Sequence, residues 1–277
     1  MPLPVVDTRP LFRPLSRDIA GVIRSLTPED WMRPTVAGAW RIRDVVAHLI
    51  DTALRRLSFH RDGRRPPGRP PSTESDLIAL INELNASWVR AADRLSARVL
   101  ADLYAYASAE LCAFVETLEP HGDAVFAVSW AGEARSAQWL DVGREFTEVW
   151  HHGAQIRDAI GAGPFPDPAW LHAVLEIAMH VLPHAYRDVT PRPGAAVAVD
   201  VTGAAGGAWT LVPAAAGGWD AEPGRRPTAT TTVTIADDDA WRVLFNAISV
   251  DDASARMRIE GDAALARPLL RARAVIV

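Results

Sequence analysis

The chain has 277 residues, 49% of them hydrophobic, and carries a formal net charge of -5. That length favours two domains, and the acidic balance argues against nucleic acid as a partner, because phosphate contact needs a clustered positive surface. The single cysteine, Cys112, excludes an intrachain disulfide.

No apolar run is long enough to span a bilayer, and no signal-peptide core can be drawn through Asp7, Arg9, Arg13 and Arg17. A cytoplasmic protein without a membrane partner is therefore expected. All 29 basic residues are arginine, a bias typical of a GC-rich genome and suggestive of an actinobacterial source. Without lysine the chain cannot run Schiff-base chemistry.

Helical periodicity dominates to about residue 188. Leu11, Leu15, Ile19, Val22, Ile23 and Leu26 recur at three and four, predicting a first helix that stops before Thr27-Pro28. A second runs from about Ile42 to Phe59, and the Arg61–Arg69 stretch after it reads as a solvated, proline-rich loop. Ser72 is the expected cap of a third helix striped with Leu77, Ile81, Leu84 and Trp88. Further helices are expected over Ala97–Leu118, Ala137–Ile160 and Pro168–Tyr186, the second closed by Gly161. Cys112 falls on an apolar helical face and reads as core.

From Gly194 the period changes. Val197, Val199 and Val201 alternate, and Trp209–Pro213 and Thr230–Ile235 are β-prone, with Gly-rich turns between them. A helix over Ala236–Phe245, a strand at Met257–Asp262 and a last helix from Ala263 to Val277 complete the expected order. The triplet Asp237, Asp238 and Asp239 reads as a helix cap rather than a calcium loop. The fold class is α+β, an antiparallel helical bundle over 1–188 followed by a smaller α/β domain over 189–277.

Three side chains stand out as candidate metal ligands. Glu148 and His152 are four apart and so share one face of their helix, while His48 sits among Val45, Val46, Leu49 and Ile50. On the residues alone a buried, hydrogen-bonded core histidine is the commoner reading. His180 and His184 are also four apart, but Pro183 interrupts that helix. His151, about 100° around the helix from His152, is expected to face elsewhere. His60, His121 and His172 read as surface or loop residues.

The stretch from Trp31 to Leu49 carries Trp31, Pro34-Thr35, Gly38-Ala39-Trp40 and Arg43-Asp44 ahead of His48. It resembles the opening signature of the DinB-like metal-binding superfamily, in its mycothiol-dependent maleylpyruvate isomerase branch. Glu148 through Gly161 resembles the same family's second signature, although Gln155 stands where many relatives carry an aspartate. The order of elements after Gly194, with Gly261-Asp262-Ala263, resembles the sterol-carrier-like domain that often follows the bundle.

The resemblance implies a DinB-like four-helix bundle whose His48, Glu148 and His152 hold a divalent ion. Two imidazoles and a carboxylate suit zinc and also accept nickel, cobalt or iron. It further implies mycothiol as co-substrate and an electrophilic small molecule as partner. A thiol entering an open coordination position loses its proton, and no catalytic group beyond that metal-bound thiolate is expected.

The chain lacks the terminal Gly-Arg element of the isomerase. Arg271 and Arg273 are the nearest substitutes for binding substrate, and Asn85 is either a structural amide or a substrate contact. Asp51, one turn after His48, is a candidate for orienting its imidazole, with an exposed carboxylate as the plainer reading. These features favour S-transfer or thiol exchange, with secondary metabolism as one setting. A maleylpyruvate-type cis-trans isomerase is the alternative, as are a non-catalytic metal-binding or regulatory protein and a small-molecule carrier.

Overall fold

In the computed structural model, residues 1–64 and 73–275 are described. Helix α1 (Arg9–Ser25) buries Phe12, Leu15, Ile19 and Ile23, and Leu26 ends it in an extended conformation ahead of Thr27-Pro28. Helix α2 (Ile42–Arg56) starts where the Arg41 N–H donates to Asp44 Oδ2 at 2.9 Å. It continues through one wider π-type turn, Leu57–Arg61, two residues past the expected end. Helix α3 (Glu74–Ala92) is capped by Thr73, whose Oγ1 accepts from the Asp76 N–H at 3.1 Å. Ser72, the expected cap, lies outside the described residues, as does the Arg65–Arg69 part of the basic stretch. Helices α4 (Ala97–Val115) and α5 (Gln138–Ala159) complete the bundle.

Helices α1, α2, α4 and α5 enclose a common apolar core, and α3 lies alongside, joined to the rest chiefly through α2. Trp88 on α3 donates its Nε1–H to the Ala47 carbonyl at 2.9 Å. Helix α5 is buried on nearly every side, and two glycines make that possible. A Cβ on Gly143 would stand 2.4 Å from Ile177 Cδ1, and one on Gly153 would stand 2.6 Å from Ile19 Cδ1. Both absences let neighbouring helices approach closely. Cys112 is buried, its Sγ 3.5 Å from Ser16 Oγ, and burial raises its pKa.

The single helix expected over Pro168–Tyr186 is broken. Helix α6 (Pro168–Ala178) passes into a 3-10 turn at Met179–Val181 and then the short α7 (Leu182–Ala185). Pro183 has no N–H to give to the residue four earlier, so the α-helical ladder cannot run through it.

A five-stranded sheet follows, in the order β3-β2-β1-β4-β5, formed by Val197–Thr202 (β1), Gly207–Pro213 (β2), Trp219–Pro223 (β3), Thr231–Ala236 (β4) and Arg258–Gly261 (β5). The β1–β4 pair is parallel and the others antiparallel. Helices α8 (Asp237–Leu244) and α9 (Val250–Arg256) fill the crossover after β4. The three aspartates act separately: Asp237 accepts from the Ala205 N–H, Asp238 from Trp241 Nε1, and Asp239 pairs with Arg256.

The last helix expected from Ala263 to Val277 is corrected to α10 (Ala263–Ala266) and a 3-10 turn, Arg267–Arg271. Pro268 is the cause, for the same missing donor. Residues 276 and 277 lie outside the described residues.

One apolar cluster runs without interruption from the bundle into the sheet. Trp150 meets Trp241 edge to face at 5.7 Å, and Tyr186 meets Trp219 at 5.5 Å. Tyr186 also donates its hydroxyl to the Leu265 carbonyl at 2.6 Å. Among the described residues no helix is long and apolar enough to cross a membrane.

Candidate metal centre

The loop before α2 is a folded turn built by its own polar atoms. Thr35 donates its hydroxyl to the Trp40 carbonyl at 2.8 Å, and the Ala37 N–H donates to Thr35 Oγ1. A left-handed Gly38 (φ 63°) reverses the chain between them. The outcome is that Trp40 packs on His48, with ring centroids 4.9 Å apart. The residues of the first signature therefore place one aromatic lid over one imidazole.

His48 on α2 and Glu148 and His152 on α5 converge. Glu148 Oε2 lies 3.4 Å from His152 Nε2 and 4.0 Å from His48 Nε2, and one ligand atom from each residue falls within 4.8 Å of the others. Ligands of a tetrahedral zinc ion at about 2.0–2.1 Å stand roughly 3.4 Å apart, so the set is close to a binding geometry. Among the described residues no arginine comes within ion-pair distance of Glu148. The imidazoles are its nearest charged or chargeable partners.

Protonation states suit a cation. Burial pushes His48 down to about 4, leaving it neutral at pH 7. Burial also opposes ionisation of Glu148, but the neighbouring imidazoles of His152 and His48 outweigh it and hold the carboxyl well below its usual range. Neutral imidazoles and an ionised carboxylate are the forms that ligate metal. The His152 ring is fixed by Gln155, whose Oε1 lies 2.8 Å from Nδ1. His48 Nδ1 is buried without a hydrogen-bond partner.

The triad sits in the wall of a cavity of about 800 Å³. Asn85 lines it and accepts from Arg55 at 2.7 Å through Oδ1. Arg55 also pairs with Asp51 at 3.0 Å. Asp51 is thus a buried carboxylate committed to Arg55, neither exposed nor hydrogen-bonded to His48. Arg271 is exposed, and Arg273 directs its guanidinium to Asn246 Oδ1 and to the Leu270 and Ala272 carbonyls. Neither is among the cavity-lining residues. Among the described residues, the arginines that do line it are Arg55, Arg56 and Arg144. Arg56 is held at 2.7 Å from Asp141 in a pair that is almost wholly buried, and Arg144 pairs with the same carboxylate at 2.9 Å.

His151 does not face away. It is buried, lines the cavity, and stacks on Phe245 from the C-terminal region at 4.9 Å and 13°. Because α5 is enclosed on nearly every side, a residue 100° from His152 still meets protein and cavity rather than water. Its Nδ1 donates to the Thr147 carbonyl at 2.9 Å, which leaves Nε2 as an acceptor. His180 and His184 form no ligand cluster with other His, Cys, Asp or Glu among the described residues. His60 packs edge-on to Phe114, and the exposed His172 has Nδ1 3.2 Å from the Ala205 carbonyl.

The family described as mycothiol maleylpyruvate isomerase N-terminal domain matches residues 12–157, more than half of the chain and the span that holds all three triad residues. The crystal structure of a histidine-to-alanine variant of the mycothiol-dependent maleylpyruvate isomerase aligns over 94% of this chain and 95% of its own, with a TM-score of 0.54 at 14% identity. A second crystal structure of that isomerase aligns over 87% of this chain and 88% of its own, with a TM-score of 0.49 at 15% identity. No curated protein gives a significant match. At this identity the likeness carries the fold, while the match over residues 12–157 carries the membership: the chain belongs to the mycothiol maleylpyruvate isomerase N-terminal domain family.

Proposed function

We propose that this protein is a metal-dependent enzyme that activates a low-molecular-weight thiol, mycothiol, for S-transfer to, or thiol exchange on, a small electrophilic metabolite. The observation that supports this most is the convergence of His48, Glu148 and His152 on one large cavity, with His48 held neutral and Glu148 held ionised. A divalent ion there, zinc by preference with nickel, cobalt or iron also acceptable, supplies the positive charge that favours the anionic form of an entering thiol.

The chain's own residues do the remaining work. Gln155 fixes the His152 ring, and Trp40 covers His48 against water. His151 presents an acceptor nitrogen beside the triad. Arg55 holds Asn85 by its Oδ1, which fixes the amide orientation and leaves its NH2 group to donate to a ligand. Residues 1–188 form the metal-binding unit in this reading, and 189–277 close it, with Phe245, Asn246 and Val275 lining the cavity. An external thiol is required because Cys112 is buried in the bundle core.

Family membership favours a second reading, cis-trans isomerisation of a maleylpyruvate-type substrate. We place transfer ahead of it because, among the described residues, no arginine from the C-terminal region lines the cavity to receive a dicarboxylate. Calorimetric titration of mycothiol into metal-loaded and metal-stripped protein tests the reading. Saturable heat only with metal, and little with glutathione, is expected; equal behaviour with and without metal would leave a protein that does not use its ion for thiol binding.

A further inference from the structure

Leu77, Leu80, Ile81 and Leu84 recur at three and four along α3 and form one apolar stripe. All four line the cavity that holds the triad, and all four are only half-buried. Helix α3 is joined to the bundle chiefly through α2, with Trp88 as its anchor, so the stripe faces the cavity where a bundle helix would meet side chains. Trp40 and Phe59 add further apolar surface to the same cavity. An amphipathic helix keeps such a stripe when something buries it. Here the thing that can bury it is a ligand, and a cavity of about 800 Å³ is ample for a drug-sized molecule.

We propose that the electrophile carries an apolar body, an aryl or alkyl group, which seats against the α3 stripe while its reactive end reaches the triad. The inference rests on the thiol-transfer reading for the word electrophile, but the apolar subsite itself does not. It also separates this chain from enzymes of small dicarboxylates, whose substrates have no surface to offer four aliphatic side chains.

The test uses the full-length, metal-loaded protein and the neutral apolar dye N-phenyl-1-naphthylamine. Its fluorescence should rise on saturable binding, and Leu80→Asn and Leu84→Asn should each weaken that binding about tenfold with metal content unchanged. Val99→Asn, on the exposed face of α4, should leave it unaltered. Leu84→Phe, which adds bulk without a polar atom, should also reduce dye binding and guards against loss through misfolding. Absence of saturable binding, or equal binding by wild type and all three stripe variants, would overturn the proposal. Mycothiol heat without dye binding would overturn this inference alone, whereas dye binding without mycothiol heat would uphold the apolar subsite and sink the thiol reading.

Discussion

Gln155 Oε1 lies 2.8 Å from His152 Nδ1. An amide oxygen can only accept, so Nδ1 carries a proton and Nε2 is the nitrogen turned toward Glu148 Oε2 at 3.4 Å, where an ion would meet it. One side chain thereby selects both the tautomer and the ring orientation that ligation requires.

Gln155→Leu should therefore lower metal affinity by about 10- to 100-fold with the three ligands intact. Gln155→Glu, which keeps an acceptor, should retain most of it. Competition against a chromophoric chelator measures both; unchanged affinity in the leucine variant would show that the Gln155 contact does not matter to the site.

Phe245 links the two halves of the chain through its stack on His151. Truncating it to Ala removes a ring that is 4% exposed and should cost about 3 kcal/mol in denaturant unfolding, with the loss concentrated between bundle and sheet. The continuous core also predicts that a chain cut after Tyr186 loses stability, since Trp150 and Tyr186 would be stripped of Trp241 and Trp219. A cost under about 0.5 kcal/mol for Phe245→Ala would mean the contact is incidental.

His180 gives a pH dependence with a defined sign. Its Nε2 is buried without a hydrogen-bond partner, its ring packs edge-on to Trp139, and burial pushes its pKa down to about 4. Between about 6.5 and 4 the unfolded chain binds this proton and the folded chain does not. The contribution is fully present above pH 6.5 and is lost as pH falls toward 4, by an amount on the order of 3 kcal/mol. His180→Leu should flatten that part of the stability profile relative to wild type. Parallel profiles would assign the acid sensitivity to other groups.

Much of this was legible in the sequence because it is periodic or local. The spacing of Phe12, Leu15, Ile19 and Ile23 marks α1, and the four-residue step from Glu148 to His152 puts two candidate ligands on one face. What escaped depends on tertiary partners. Arg55, Arg56 and Arg144 carry no local signal in the sequence, and only Asp51 and Asp141 buried beside them show what holds them in the cavity wall. His151 looked misdirected because helical angle alone does not reveal that α5 is enclosed on nearly every side. Strand β3 alternates Trp219, Asp220, Ala221 and Glu222, but over five residues beside glycines and a proline the pattern is too brief to stand out, and α9 is similarly brief. The breaks at Pro183 and Pro268 are the converse, since both follow from a local cause that is present in the sequence, the missing proline N–H.

The central claim is that the triad holds an ion which an external thiol can reach. Replacing the ion by cobalt(II) and adding mycothiol tests it most directly, by near-ultraviolet absorbance. A sulfur-to-cobalt charge-transfer band that saturates with thiol, and that is absent together with the metal in His48→Ala and His152→Ala, is the predicted result. A stoichiometric ion retained by the double variant, or a cobalt spectrum indifferent to saturating mycothiol, would contradict the account.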